Sequence, residues 1–387
     1  MKYFSTNNSD QVVTFREGIL RGLAPDKGLY FPQDIPRLSN DVLASFENMA
    51  LGQIGAEIMS HYVGDLVGRD ELGAMMADAL NFPIPLVEVE EGIWSLELFH
   101  GPTMAFKDVG ARTMSRMLAA TGQGNSTVLV ATSGDTGSAV ANGFLGVEGI
   151  EVIILYPKGK VSKIQEKQLT TLGQNITAIE VEGVFDDCQA MVKQAFLDNE
   201  LNQHMALTSA NSINLARWIP QSIYYFHALN QLPLSQLERR RRLITGKTKF
   251  SVPSGNYGNI TAGILARTMG LNCGGFIAAT NANTIVPDFL SGGDYSPKSS
   301  KATVANAMDV GDPSNFVRMR ELYNRNDNKM RAEIGHFSMA DEDIFATIKD
   351  CYERTGYILD PHGAIGYKAI KNAGGGIFLE TAHPAKF

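Results

Sequence analysis

The spacing of apolar residues changes near residue 85. Before that point apolar positions recur at helical intervals. "DVLASFENMALGQIGAEIMSHYV" (41–63) and "RDELGAMMADAL" (69–80) each carry an apolar stripe and predict amphipathic helices. Pro83 and Pro85 then punctuate the chain. Beyond them, short β-branched runs alternate with helical stretches. "TVLVAT" (127–132), "EVIILY" (151–156), "ITAIEV" (176–181), "KFSVPS" (249–254) and "GGFIAATN" (274–281) predict strands. "SKIQEKQLTTLG" (162–173) reads as a helix closed by Gly173, and 212–230 as a long helical region. "FDDCQAMVKQAFLD" (185–198) reads as a helix whose acidic first turn suits the macrodipole. Continuous apolar strands between helices imply parallel sheets covered by helices. The expected fold class is therefore α/β, with two α/β domains of mostly parallel sheets. The boundaries read as a mainly helical N-terminal segment over 1–80, a small mobile α/β domain over 108–210, and a large domain from 81–107 and 211–387.

Composition narrows the class. The chain has 387 residues, a net charge of −7, 44% hydrophobic and 19% charged residues. Those values describe an ordinary globular protein. Mild acidity argues against a nucleic-acid binder. The basic stretch "ERRRRLITGKTK" (238–249) reads as an exposed helix end and loop, with a nucleic-acid patch as the other reading. Cys188, Cys273 and Cys351 are far apart and lack C-x-x-C spacing, which disfavours disulfides and zinc and suits a cytoplasmic protein without a metal. The polar N-terminus lacks the apolar core of a secretory signal, and no run reaches the ~20 apolar residues of a membrane span.

Four stretches carry candidate chemistry. "SGNYGN" (Ser254, Gly255, Asn256, Tyr257, Gly258, Asn259) joins a strand to a helix. Its glycines let main-chain N–H groups converge, and the following helix adds its positive end, which suits a phosphate. It matches neither a Walker A loop nor a dinucleotide fingerprint; an ordinary βα turn is the competing reading. "ATSGDTGSA" (131–139) offers Thr132, Ser133, Thr136 and Ser138 hydroxyls beside Gly134 and Gly137, fit for a carboxylate or phosphate. Asp135 is out of place in a pure anion site, so it faces something else or pairs with a cation. Helix capping by Ser133 or Asp135 explains the loop equally well. "SANSINLARW" (209–218) supplies Asn211, Ser212 and Asn214 at a helix start, with Arg217 one turn on. Its plainer reading is an N-cap and a surface arginine.

The fourth is Lys107, in "LFHGPTMAFKDVGARTMSRM" (98–117). Lysine at a helix start is usually a solvated charge. Here apolar residues precede it, and the helix that follows has a core face at Met114, Met117 and Leu118. A buried lysine gives up its proton readily, and its neutral amine attacks aldehydes. An aldehyde cofactor bearing a phosphate would use both the lysine and the glycine-rich loop. Pyridoxal 5'-phosphate fits that description.

At these residues the chain resembles the threonine synthase family, in the branch found in many bacteria and in fungi. The stretches that carry the resemblance are "ELFHGPTMAFKDVGAR", "ATSGDTGSA", "SANSINLARW", "VPSGNYGNITAG", "NAMDVGDPSNF" and "FLETAHPAKF", with "GLYFP" near the start. The resemblance runs in order along the whole chain. It implies a tryptophan synthase β-like fold, pyridoxal-phosphate fold type II, and conversion of O-phospho-L-homoserine and water to L-threonine and phosphate. By the same resemblance Lys107 matches the Schiff-base lysine and the base at Cα, and 254–259 the cofactor-phosphate loop. Thr381 matches the partner of the ring nitrogen. Ser133, Asp135 and Thr136 match the loop near the substrate carboxylate and cofactor hydroxyl. Asn211, Ser212 and Arg217, with Thr136, match the holder of the substrate phosphate. A monomer or homodimer is expected. Ala111 stands where that family commonly has glycine, and Gly363 where it has a larger residue. The chain stops at Phe387, where members usually continue, so it reads as a short member or one lacking a tail. The alternatives are another pyridoxal-phosphate lyase, such as a threonine or serine dehydratase, and a non-catalytic protein that binds phosphorylated ligands.

Overall fold

The computed structural model describes residues 1–122, 124–233 and 246–387. Most of the basic stretch 238–249 lies outside the described residues. Three sheets are present among the described residues. The first joins β1 (Lys2–Ser5) to β2 (Asn8–Thr14) and β3 (Tyr30–Pro32), both antiparallel. This small sheet does not stand out in the sequence, because β2 is mostly exposed and begins Asn-Ser-Asp, with no apolar alternation. The amphipathic stretch 41–63 is also not one helix. It breaks into Asn40–Ser45, a tight 3₁₀ turn Phe46–Asn48, and Leu51–Ser60. Met49 is extended, and the Gln53 side chain accepts from the Ala50 amide at 2.8 Å to start the new helix.

The second sheet, in spatial order, is β4 (Leu86–Glu90) and β5 (Ile93–Glu97), then β13 (Gly376–Glu380), β10 (Phe250–Pro253), β11 (Phe276–Thr280) and β12 (Ile334–Ser338). All neighbours are parallel except β4 with β5. The third sheet is wholly parallel: β8 (Ile176–Val181), β7 (Ile150–Pro157), β6 (Ser126–Ala131) and β9 (Ala206–Ser209). Every residue of β6 is buried, which is why the run reads as continuous Val and Leu without alternation.

Both parallel sheets reverse their strand order. From β6 the chain steps outward through β7 to β8, then returns to place β9 on the other side of β6. From β10 it steps through β11 to β12, then returns to place β13 on the other side of β10. Crevices form at such switch points, outside the carboxyl ends of the strands.

The N-terminal segment supports this arrangement. The carbonyl of Ile19 accepts from Asn214 Nδ2 at 2.9 Å and Thr208 Oγ1 at 3.0 Å. Arg318, fully buried, donates to the carbonyls of Tyr30, Ser212 and Ile213 and lies 4.7 Å above the Trp218 ring. With its charge spread over carbonyl acceptors and a π face, the guanidinium is satisfied inside the core.

Candidate active site

The stretches singled out in the sequence follow the carboxyl ends of β5, β6, β9, β10 and β13. β6 and β9 are neighbours, as are β10, β13 and β5, so the fold gathers these loops at the two switch points.

Lys107 opens the helix Lys107–Ala119. The loop before it runs alongside the end of β13. Leu98 N donates to Glu380 O (3.0 Å), Phe106 N to Thr381 O (2.9 Å), and His383 N to Met104 O (3.0 Å). Lys107 is thereby fixed beside Thr381, although the two lie far apart in sequence. Its side chain is only 14% exposed, and its Nζ lies 4.0 Å from Asp135 Oδ2. Burial, more than any neighbour, lowers the ammonium to about 8; Lys386 and Arg217 push the same way, and Asp135 opposes. About a tenth of the amine is therefore neutral at pH 7, far more than for a solvated lysine.

Asp135 starts the helix Asp135–Phe144. Its Oδ1 accepts from Gln165 Nε2 at 2.9 Å and pairs with Lys386 Nζ at 2.6 Å. Burial pushes the carboxyl upward, but Lys107, Lys386 and these hydrogen bonds hold it well below the usual carboxylate range. The sequence reading that Asp135 pairs with a cation describes this geometry. Thr132 is drawn into the loop itself. Its Oγ1 accepts from the amides of Gly134 (2.9 Å) and Gly137 (2.8 Å), so it shapes the loop from within. Ser133 and Thr136 are half-buried on the same turn.

Arg217, expected on one reading to lie at the surface, is 3% exposed. Its Nη1 donates to Ala210 O at 2.5 Å, while its Nε has no hydrogen-bond partner. Burial lowers this guanidinium to about 10. Asn211 Nδ2 donates to Ala131 O (3.1 Å), joining the loops after β9 and β6. Ser212 Oγ accepts from Asn256 Nδ2 (2.6 Å) and Asn315 Nδ2 (3.1 Å), which ties it to the glycine-rich loop.

In that loop Tyr257 adopts a left-handed conformation (φ 59°) just before the helix Gly258–Met269. A Cβ on Gly255 would lie 2.6 Å from Met308 Cα, so only glycine fits. Ser254 Oγ donates to Val252 O, and Asn256 Oδ1 accepts from Ser314 N. Asn259 Oδ1 accepts from the hydroxyls of Tyr224 (2.6 Å) and Tyr225 (2.7 Å), while its Nδ2, like the Tyr257 hydroxyl, is buried without a partner. The first turn of the helix leaves its amides unbonded within the helix.

These features fit pyridoxal phosphate. A mostly buried amine near neutrality suits the aldehyde. The tight turn and free helix amides suit the phosphate, and the unpartnered Asn259 Nδ2 and Arg217 Nε mark buried donors without acceptors. Among the described residues no cluster of three or more His, Cys, Asp or Glu is placed to hold a metal ion. No described helix is long and apolar enough to cross a membrane.

The sequence reading missed Lys386, Gln165, Asn315 and Arg318. Lys386 stands in "ETAHPAKF", and Asn315 follows directly on "DPS" in "NAMDVGDPSNF", so both lie in stretches that carry the family resemblance. One of the two noted departures has a local explanation. Gly363 faces the Glu380 carboxylate, which fills the space a Cβ would take, whereas nothing in the structure explains alanine at 111.

Two family models match the chain: "Pyridoxal-phosphate dependent enzyme" over residues 80–377 and "Threonine synthase N terminus" over residues 2–80. The threonine synthase of Haemophilus influenzae is 46% identical over 392 residues, covering 100% of this chain and 89% of that protein. The crystal structure of threonine synthase from Escherichia coli superposes with a TM-score of 0.92 at 42% identity, covering 100% of this chain and 89% of that one. A pyridoxal-phosphate-bound threonine synthase from Brucella melitensis superposes with a TM-score of 0.90 at 34% identity, with the same coverage.

Proposed function

The chain belongs to the pyridoxal-phosphate-dependent enzyme family, in its threonine synthase branch, and we propose that Lys107 is its reactive amine and Arg217 the centre of its substrate-phosphate site. The reaction is the conversion of O-phospho-L-homoserine and water to L-threonine and phosphate, a carbon–oxygen lyase reaction of threonine biosynthesis. The observation that carries the assignment of residues is the mostly buried Lys107 amine, lowered to about 8 and held beside Thr381 by the Phe106–Thr381 hydrogen bond.

When bound, pyridoxal phosphate supplies an aldehyde for the substrate amine and an electron sink for charge developing at Cα. The residues of this chain do the rest. The loop 254–259 would hold the cofactor phosphate through main-chain amides and Asn259 Nδ2, and Asp135 would face the cofactor hydroxyl. Thr381 would meet the ring nitrogen with a neutral hydroxyl, which does not force that nitrogen to be protonated. Ser133 and Thr136 would orient the substrate carboxylate and phosphate from the half-buried turn. Lys107, once free, would take the proton from Cα; a base titrating near neutrality is suited to that work. Arg217 Nε, Thr136 and the Ser212 O–H would bind the substrate phosphate, with Asn211 bracing the loop. These groups stabilise charge as it grows on the leaving phosphate.

We place the protein in the cytoplasm, as a monomer or homodimer; all three cysteines are free thiols, in keeping with a reducing compartment. The test is incubation of the purified protein with O-phospho-L-homoserine. Equal release of threonine and phosphate is expected. Keto-acid formation in place of threonine would favour a dehydratase instead.

A further inference from the structure

Lys386 has no role in the chemistry above, yet its amine is among the most enclosed groups of the molecule. It lies in the short 3₁₀ turn Pro384–Lys386, and its side chain is 0% exposed. Its Nζ reaches Asp135 Oδ1 at 2.6 Å and the Thr103 carbonyl at 2.8 Å. Thr103 in turn gives its amide (2.9 Å) and hydroxyl (2.6 Å) to Asp108, the residue after Lys107. Gln165 Nε2 meets the same Asp135 oxygen, and Gln168 Nε2 the same Thr103 carbonyl. Lys107 Nζ faces the other Asp135 oxygen at 4.0 Å. Two buried amines thus share one carboxylate, and the closer pair does not involve the reactive amine.

We propose that Lys386 is a positioning residue that occupies the Asp135 carboxylate, so that the carboxylate nearest Lys107 is already neutralised and Lys107 gives up its proton readily. Without Lys386, Asp135 would be an unpaired buried anion next to Lys107. The favourable response is for Lys107 to hold its proton and form the ion pair itself. That would leave it unreactive toward an aldehyde. The other charged groups around Lys107 do not replace Lys386. Arg217 repels the ammonium, and Asp108 is turned into the Thr103 turn, with Arg112 behind it. Lys386 also links the start of the Asp135–Phe144 helix to the loop that carries Lys107, so the charge and the geometry are set by one side chain.

The inference rests on Lys107 being the reactive amine. Its test uses the full chain freed of cofactor, labelled briefly with acetic anhydride from about pH 6 to 11, with acetylation of Lys107 read by mass spectrometry. The unaltered protein should label with a midpoint near 8. Lys386→Met and Lys386→Gln should raise that midpoint by about one to two pH units, a roughly 10- to 100-fold slower labelling below it. Lys386→Arg, which keeps the charge, should leave it in place. Gln retains hydrogen-bonding capacity without charge, so a purely structural role predicts no shift for Gln. It also carries the test should the Met variant fail to fold by circular dichroism. An unchanged midpoint in a folded Gln variant overturns the inference alone. A cofactor fixed by borohydride to a residue other than Lys107 in the unaltered protein overturns the reading of Lys107, and the inference with it.

Discussion

The amide of Phe106 donates to the carbonyl of Thr381 at 2.9 Å, so the residue before Lys107 is held to the residue that follows β13. This bond uses main-chain atoms only and leaves the Thr381 side chain to the site. Thr381→Val keeps the shape and the backbone bond but removes the hydroxyl. Turnover should fall by roughly tenfold, about the worth of one neutral hydrogen bond. Stability in urea should change by no more than about 1 kcal/mol. Wild-type turnover would remove the Thr381 hydroxyl from the account.

Arg217 is buried with an unpartnered Nε, and on the proposed reading this cation meets the substrate phosphate. Arg217→Met should lower kcat/KM for O-phospho-L-homoserine by roughly 2–5 kcal/mol. Folding should be affected much less, since the change removes an incompletely satisfied buried charge. Steady-state kinetics paired with thermal unfolding separates the two. A variant that loses stability but keeps kcat/KM would make Arg217 structural.

Gly255→Ala tests the phosphate loop. The new methyl would meet Met308 Cα at 2.6 Å, a main-chain contact with little room to yield. Overpacking of this kind costs about 1–3 kcal/mol and would shift the amides of the loop. Pyridoxal phosphate should bind at least tenfold more weakly by equilibrium dialysis. Undiminished binding would place the cofactor phosphate elsewhere.

Asp108 gives a pH signature. Burial, the largest influence, raises its carboxyl from 3.8 to about 6. Between those values the unfolded chain gives up its proton while the folded chain retains it. Stability from this group is therefore full below pH 3.8 and is lost as pH rises to about 6, by at most about 3 kcal/mol. Asp108→Asn should remove that slope. Parallel stability curves for the two proteins over this window would show that Asp108 titrates normally.

Much of this arrangement is legible in the sequence, in a particular way. The strand expected at 176–181 is observed as Ile176–Val181, and the other β-branched runs fall within a residue or two of theirs. Buried parallel strands are continuous apolar runs, and their βα turns need glycines, so both leave marks on the chain. Strand order leaves none. That β13 lies between β10 and β5 follows from packing of segments far apart in sequence, and it is what brings Thr381 to Lys107. The strands β9 and β12 leave little mark on the sequence because they are short or partly exposed. Lys386 is hidden in the sequence for a related reason. A lysine after His-Pro-Ala reads as a solvated charge, and only the fold reveals Asp135 and Thr103 O waiting for it.

The central claim is that Lys107 is the amine that carries the cofactor. Borohydride reduction of the purified, cofactor-loaded protein, followed by peptide mapping, tests it directly. The account requires the reduced pyridoxyl group on the peptide containing Lys107, and its loss in Lys107→Ala together with turnover. A pyridoxyl group on any other lysine, or an active Lys107→Ala protein, would contradict it.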